Sequence, residues 1–180
     1  MPDAARDKIL SSAIDLRLKS GHQDITVETV AEKAKCAKGL VAYHFKTKDR
    51  LFNEVDTSIG NRRLVEWKAA LATKDAQAAI DACWTIIKKD SETRVAIHQA
   101  IKLTDWSGNN SFSSTIGRAA LEVLNRAGRI PKVSDDEIAS LCAVTLPGFA
   151  LALAQGGDVK RLEGAYLAFW AALFALTRSA

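Results

Sequence analysis

Apolar residues recur along this chain at helical spacing and hardly ever with the alternation of half-buried strands. Ala5, Ile9, Ala13 and Leu16 predict a first helix over about Asp3 to Lys19. Ser20-Gly21-His22 stops it, with Gly21 suited to a left-handed cap. Thr26 is the expected N-cap of a second helix that ends near Ala34, and Glu28 suits the positive end of its dipole. A short third helix is expected from about Ala37 to Phe45. Thr47 caps a fourth, which begins at Lys48 or Asp49 and runs to about Ala72. Further helical patterns cover about Asp75 to Lys89, Ser91 to Leu103, Thr115 to Ala127, Asp135 to Gln155, and the stretch from Asp158 to about Arg178. Gly128 and Pro131 stop the third of these. Ser134 with Glu137 reads as a capping box, and Pro147 predicts a kink. Thr104 to Ser114, rich in Ser, Gly and Asn, reads as a loop. The expectation is an all-α chain of about nine helices.

Composition agrees and adds little: 48% of the 180 residues are apolar and only three are proline, which excludes a disordered chain. The formal charge of +4 is uninformative until its distribution is read. Between residues 33 and 50, Lys33, Lys35, Lys38, Lys46, Lys48 and Arg50 face Asp49 alone, more positive charge than the whole chain carries. Such a segment attracts phosphate, on nucleic acid or at a membrane surface, or is simply a solvated helix face.

Cys36, Cys83 and Cys142 are odd in number and widely spaced, with neither metal-ligand spacing nor a disulfide framework. Without a secretory signal they are expected to be reduced residues of a cytoplasmic protein. Ile138 to Gly157 is uncharged and long enough to span a bilayer, but Pro147, Gly148, Gln155 and the Gly156-Gly157 pair favour a helix buried on all sides, so no membrane role is expected. His22, His44 and His98 have no Cys or carboxylate at catalytic or metal-binding spacing. No catalytic residue, metal or cofactor is expected.

The informative stretch is Val27 to Leu51. Two short helices with a three-residue turn suit a helix-turn-helix, with Val30, Ala34, Cys36 and Val41 as its small apolar interior and Ala31 where the helices approach closely. The second helix, Lys38 to Phe45, would enter the major groove of DNA. Gly39 permits close approach, Leu40 and Ala42 could read only thymine methyls, and Lys38 is left to carry hydrogen-bonded readout. Tyr43 and His44 can donate to phosphates, and Lys48 stands beside the anion-attracting start of the fourth helix.

Ala31, Ala34, Gly39, Tyr43-His44-Phe45, Lys48 and Leu51, with Thr26 at the cap, resemble the DNA-binding pattern of the TetR family, closely so over residues 6 to 55. Lys35 replaces the usual turn glycine and Ala37 the usual Ser or Thr cap. The resemblance implies a three-helix DNA-binding domain over residues 1–50 and a helical effector-binding and dimerisation domain over residues 51–180. The DNA-contacting set would be Thr26, Lys35, Lys38, Gly39, Leu40, Ala42, Tyr43, His44 and Lys48.

The resemblance also implies that the last two helices pair with their copies in a homodimer, through Leu146, Ala150, Tyr166, Phe169, Trp170 and Leu173. An effector pocket is implied too, with Trp84, His98, Trp106, Phe112 and Phe149 suited to an apolar or cationic small molecule. The expected function is a transcription repressor released from a palindromic operator by that molecule. The alternatives are a helical small-molecule-binding protein with weak or lost DNA recognition, and an enzyme.

Overall fold

The computed structural model describes residues 2–20, 25–92 and 112–179. The expected helix over Ser91 to Leu103 falls almost wholly outside them, as do His22, His98, Trp106 and the glycine cap at Gly21. Among the described residues there are eight helices and one pair of three-residue strands. In chain order these are α1 (Pro2–Ser20), α2 (Val27–Ala34), α3 (Lys38–Phe45), α4 (Lys48–Leu71), α5 (Ala76–Glu92), α6 (Phe112–Arg126), β1 (Arg129–Pro131), α7 (Asp135–Ala154), α8 (Val159–Ala175) and β2 (Thr177–Ser179).

The chain divides into two compact units, and the division falls between Arg62 and Arg63, inside α4. The first unit closes around Ile9 and Ala13 of α1, Val30, Ala31 and Ala34 of α2, Val41 and Phe45 of α3, and Leu51, Phe52, Val55 and Ile59 of α4. Those four α4 residues carry the first unit past residue 50. Arg17, 3% exposed, is held by the Asp56 carboxylate at 3.0 Å and lies 5.5 Å over the Phe52 ring, which fixes α1 against α4. A pair this buried is costly to break from one side only.

The second unit packs α5, α6, α7 and α8 around Trp67 and Leu71 of α4. Gly117 is where α6 meets α7: a Cβ there would stand 2.1 Å from the Ala139 carbonyl oxygen, so only glycine permits the approach. At the α4–α5 contact, the Asp90 carboxylate accepts from Arg63 Nε at 3.0 Å and from Trp67 Nε1 at 2.8 Å, and also pairs with Arg63 Nη2.

The caps fall where sequence puts them. Thr26 and Ser134 each complete a capping box, with Thr29 and Glu137, and Asp158 accepts from the Arg161 N–H at 2.8 Å. Gly128 ends α6 with a left-handed φ of 66°. α7 runs from Asp135 to Ala154 with Pro147 buried inside it, as expected to within one residue. Two local expectations change. α6 begins at Phe112, so the last residues of the expected loop are helical. The last helix stops at Ala175 rather than Arg178, because Thr177–Ser179 pairs antiparallel with Arg129–Pro131. Arg129 fastens that turn by donating to Thr177 Oγ1 at 2.8 Å and to the Phe174 carbonyl at 3.0 Å.

Candidate nucleic-acid interface

In the first unit, α2 and α3 are joined by Lys35, Cys36 and Ala37. Lys35 closes α2 in the left-handed region, at φ 53° and ψ 50°, with its N–H turned back to the carbonyls of Ala31 and Glu32. A lysine there costs about 1 kcal/mol relative to glycine, since its Cβ crowds the backbone. Ala37 stands at the N-cap of α3 with no side-chain hydrogen bond. A Ser or Thr there would contribute about 0.5–2 kcal/mol. The turn therefore keeps a strained residue and an uncapped helix start, and exposes both Lys35 and Ala37.

α3 has one inward and one outward side. Val41 and Phe45 are buried, and the Arg6 guanidinium lies 5.1 Å above the Phe45 ring. Lys38, Gly39, Ala42 and Tyr43 are exposed. At 66% exposure Tyr43 is no core residue. A Cβ on Gly39 would meet nothing within 4 Å. Leu40 is half-buried against the core, which leaves only part of its side chain outward. His44 is half-buried too and meets the Tyr43 ring edge-on at 5.2 Å.

Beyond α3 the exposed basic residues continue. Lys46 places its ammonium 5.3 Å over the Tyr43 ring. Thr47 caps α4 by accepting from the Arg50 N–H at 3.1 Å. Lys48, first residue of α4, is exposed with its ammonium 5.7 Å over the Phe52 ring. Thr26 is exposed, and its hydroxyl accepts from the Thr29 N–H at 3.2 Å, so it is engaged in shaping the start of α2.

One member of this surface escapes sequence reading. Glu28, in the first turn of α2, is ion-paired with Lys38, the first residue of α3. The Lys38 hydrogen bond is the largest reason its carboxyl lies below the ordinary value, followed by a backbone hydrogen bond. From sequence, Glu28 serves only the helix dipole. Its meeting with a residue ten positions on depends on the angle between two short helices, which no local pattern prints.

The residues expected at a dimer contact stand differently. Leu146, Ala150, Tyr166, Trp170 and Leu173 are each at most 2% exposed within the single chain, and Phe169 is half-buried. They form this chain's own core, because α7 and α8 turn their larger side chains onto α5 and α6 rather than outward. The large apolar residues those helices leave exposed are Leu141, Val144, Val159 and Leu167.

Of the expected effector contacts, His98 and Trp106 lie outside the described residues, as does the side chain of Phe112. Trp84 and Phe149 do meet, in a cluster where Tyr166 stacks on Trp84 at 5.1 Å and Phe149 approaches both rings edge-on. The Tyr166 hydroxyl donates to the Ile80 carbonyl at 2.6 Å. Trp84 Nε1 is buried with no acceptor among the described residues. A groove of about 450 Å³ in this unit lies elsewhere, lined by Lys68, Ala69, Ala72, Thr115, Arg118, Ala119 and Glu122. Burial pushes the thiols of Cys83 and Cys142 up to about 12, so neither is a nucleophile near neutral pH.

Comparison with known proteins bears on this geometry. The family described as "Bacterial regulatory proteins, tetR family" matches residues 9–55, which span most of α1, all of α2 and α3, and the start of α4. The HTH-type transcriptional regulator QacR of Staphylococcus aureus is 35% identical over 63 residues, a stretch that is 35% of this chain and 34% of that protein. The chain thus matches about a third of this curated relative's length. A TetR-family transcriptional regulator from Pectobacterium atrosepticum superposes with a TM-score of 0.73 at 18% identity, over 99% of this chain and 97% of the other. A TetR transcription regulator from Haloarcula marismortui gives 0.70 at 14% identity, over 98% and 100%. At such identities the two structures speak for the fold.

Proposed function

We propose that this chain, whose residues 9–55 match the model of the TetR family of bacterial regulatory proteins, is a DNA-binding transcription regulator acting as a homodimer. The observation that carries the reading is the outward side of α3. Lys38, Gly39, Ala42 and Tyr43 are exposed together, with Lys35 before them and Lys46 and Lys48 after. A helix bare of bulky side chains at its start and flanked by ammonium groups fits the major groove, with the flanking charges against phosphate. Lys38 supplies the hydrogen bonds to base acceptors, and Ala42 and the outer part of Leu40 supply apolar contact to thymine methyls. A cytoplasmic location follows from that role.

The second copy is placed on the exposed side of α7 and α8. Leu141, Val144 and Leu167 supply its apolar area, and Gly148, Gly164, Ala168 and Ala171, all exposed, let the helices approach closely. A two-fold pair suits a palindromic operator, whose half-sites repeat about one DNA turn apart. The twenty-residue helix α7 is also long and apolar enough to cross a membrane by length and composition. Its mixture of core positions and a small-residue outer side suits a partner helix as well.

The effector is assigned to the second unit, with Trp84 and Phe149 as its contacts. The buried indole N–H of Trp84 has no acceptor among the described residues, and a ligand that brings one would satisfy it, a gain of about 1–3 kcal/mol. An apolar or cationic molecule suits the surrounding rings. By binding one arrangement of the dimer better than another, it releases the protein from its operator and so relieves repression.

The test is fluorescence anisotropy on a mixed-sequence duplex across a salt series. Binding is expected to weaken steeply with salt, and Lys48→Ala to reduce the slope of log affinity against log salt by about one per protomer. An unchanged slope would remove Lys48 from the interface. The strained Lys35 and uncapped Ala37 favour the second reading, a helical small-molecule-binding protein with weak DNA recognition. No binding even at low salt would support it.

A further inference from the structure

We infer that Glu28 is a specificity-determining residue of the DNA interface: by pairing with Lys38 it screens that cation from phosphate while leaving its donors available to a base. The inference rests on the DNA-binding reading and adds to it a residue that turns binding into discrimination.

The geometry is that of a pair on an open surface. Glu28 belongs to the first turn of α2 and Lys38 is the first residue of α3, with side chains 53% and 63% exposed. Lys38 is therefore the cation nearest the groove-entering end of the helix, and it meets DNA already partnered. Lys35, Lys46 and Lys48, exposed on the same unit, have no carboxylate partner among the described residues.

An unpaired ammonium is attracted to any phosphate, at a range set by salt screening and regardless of sequence. Set against a carboxylate, it presents a dipole, and the long-range attraction largely cancels. Its three N–H donors are short-range, and one carboxylate oxygen does not occupy all of them. A guanine O6 or N7 at the right position can still accept a hydrogen bond from it. The pair thus removes more from binding to random sequence than from binding to a site with a correctly placed acceptor. The neighbouring free lysines keep the general attraction that holds the protein on DNA. Screening at Lys38 alone puts the penalty at the residue that reads.

The experiment compares wild type, Glu28→Gln, Lys38→Gln and the double variant on two duplexes. One is a mixed-sequence duplex, and the other is a duplex enriched from a random pool by the wild-type protein. Glu28 is exposed and its replacement keeps the side chain's length, so folding is checked by circular dichroism rather than placed in doubt.

Glu28→Gln is expected to bind the mixed duplex about fivefold more tightly per protomer near 0.15 M salt, and to steepen its salt slope by about one per protomer. Affinity for the enriched duplex is expected to rise less, so the ratio between the two falls. In the Lys38→Gln background the same replacement is expected to change little, since no cation remains to be released.

An unchanged ratio in Glu28→Gln overturns the inference. An equal gain on the mixed duplex with and without Lys38 also overturns it, because the carboxylate would then act on phosphate directly. The DNA-binding reading fails separately, if wild type binds neither duplex with any dependence on salt.

Discussion

Asp90→Ala is expected to lower stability by about 3–5 kcal/mol, enough to bring the melting temperature down by roughly 10 °C. The Asp90 carboxylate is 4% exposed and takes hydrogen bonds from Arg63 and from the Trp67 indole. Arg63 is itself 8% exposed and Trp67 fully buried. Alanine would strip both donors of this acceptor where water cannot easily replace it. The penalty comes from the buried donors that lose this carboxylate more than from the lost attraction. Replacing both partners with apolar residues of similar volume, Arg63→Met with Asp90→Leu, should therefore recover much of the loss. Thermal unfolding of the single and double variants checks this. A single variant within 1 kcal/mol of wild type would show that the pair contributes little. The cluster lies on the α4–α5 contact just past the point where α4 passes from one unit to the other. Loosening it is a change to the helix that both units share.

Gly39→Glu is expected to do the reverse, abolishing DNA binding without loss of stability. A Cβ at Gly39 meets nothing within 4 Å, so the fold accommodates any side chain there. Glycine inside a helix is less stable than alanine by about 0.5–1 kcal/mol, and a carboxylate in the first turn gains from the dipole, so melting should stay level or rise. On DNA the same carboxylate would stand where α3 meets the duplex. Like charges brought together there cost several kcal/mol, a loss of about 100-fold or more in affinity. Thr85→Glu, which adds the same charge to an exposed position on α5, is the control and should bind much as wild type does. If Gly39→Glu binds within threefold of wild type, α3 does not face DNA at its N-terminal end.

How much of this could be read beforehand depends on the range of the physics involved. Caps are local: Thr26, Thr47, Ser134 and Asp158 each act within three residues, and each sits where the sequence puts it. The left-handed turn at Lys35 was legible as a place where glycine would be preferred, because its strain is a property of one residue. The outward set Lys38, Gly39, Ala42 and Tyr43 followed from helical periodicity over a short element, and its meaning from a resemblance confined to the first unit.

What stayed hidden was set by contacts distant in sequence. Periodicity shows that α7 and α8 are apolar on more than one side, but not which side faces their own chain. Leu146, Tyr166 and Trp170 are large enough to fill a core, and they do so. Leu141, Val144, Val159 and Leu167 are left exposed. The strands at Arg129–Pro131 and Thr177–Ser179 are too short to show any period. They exist because the segment after α8 returns to meet Arg129. Ion pairs are equally silent: Arg17 with Asp56, and Arg63 with Asp90, are separated by 39 and 27 positions. Each became visible only once helices were set against one another.

The claim on which the rest stands is that α3 lies in the major groove, and dimethyl sulfate footprinting reads that contact directly. The reagent methylates guanine N7 on the major-groove edge and adenine N3 in the minor groove. On a duplex enriched from a random pool by the wild-type protein, protection is expected at guanine N7 in two clusters about one helical turn apart, and to vanish with Gly39→Glu. Bound DNA whose guanine N7 positions react as freely as in naked duplex, or whose protection is confined to adenine N3, would contradict the account.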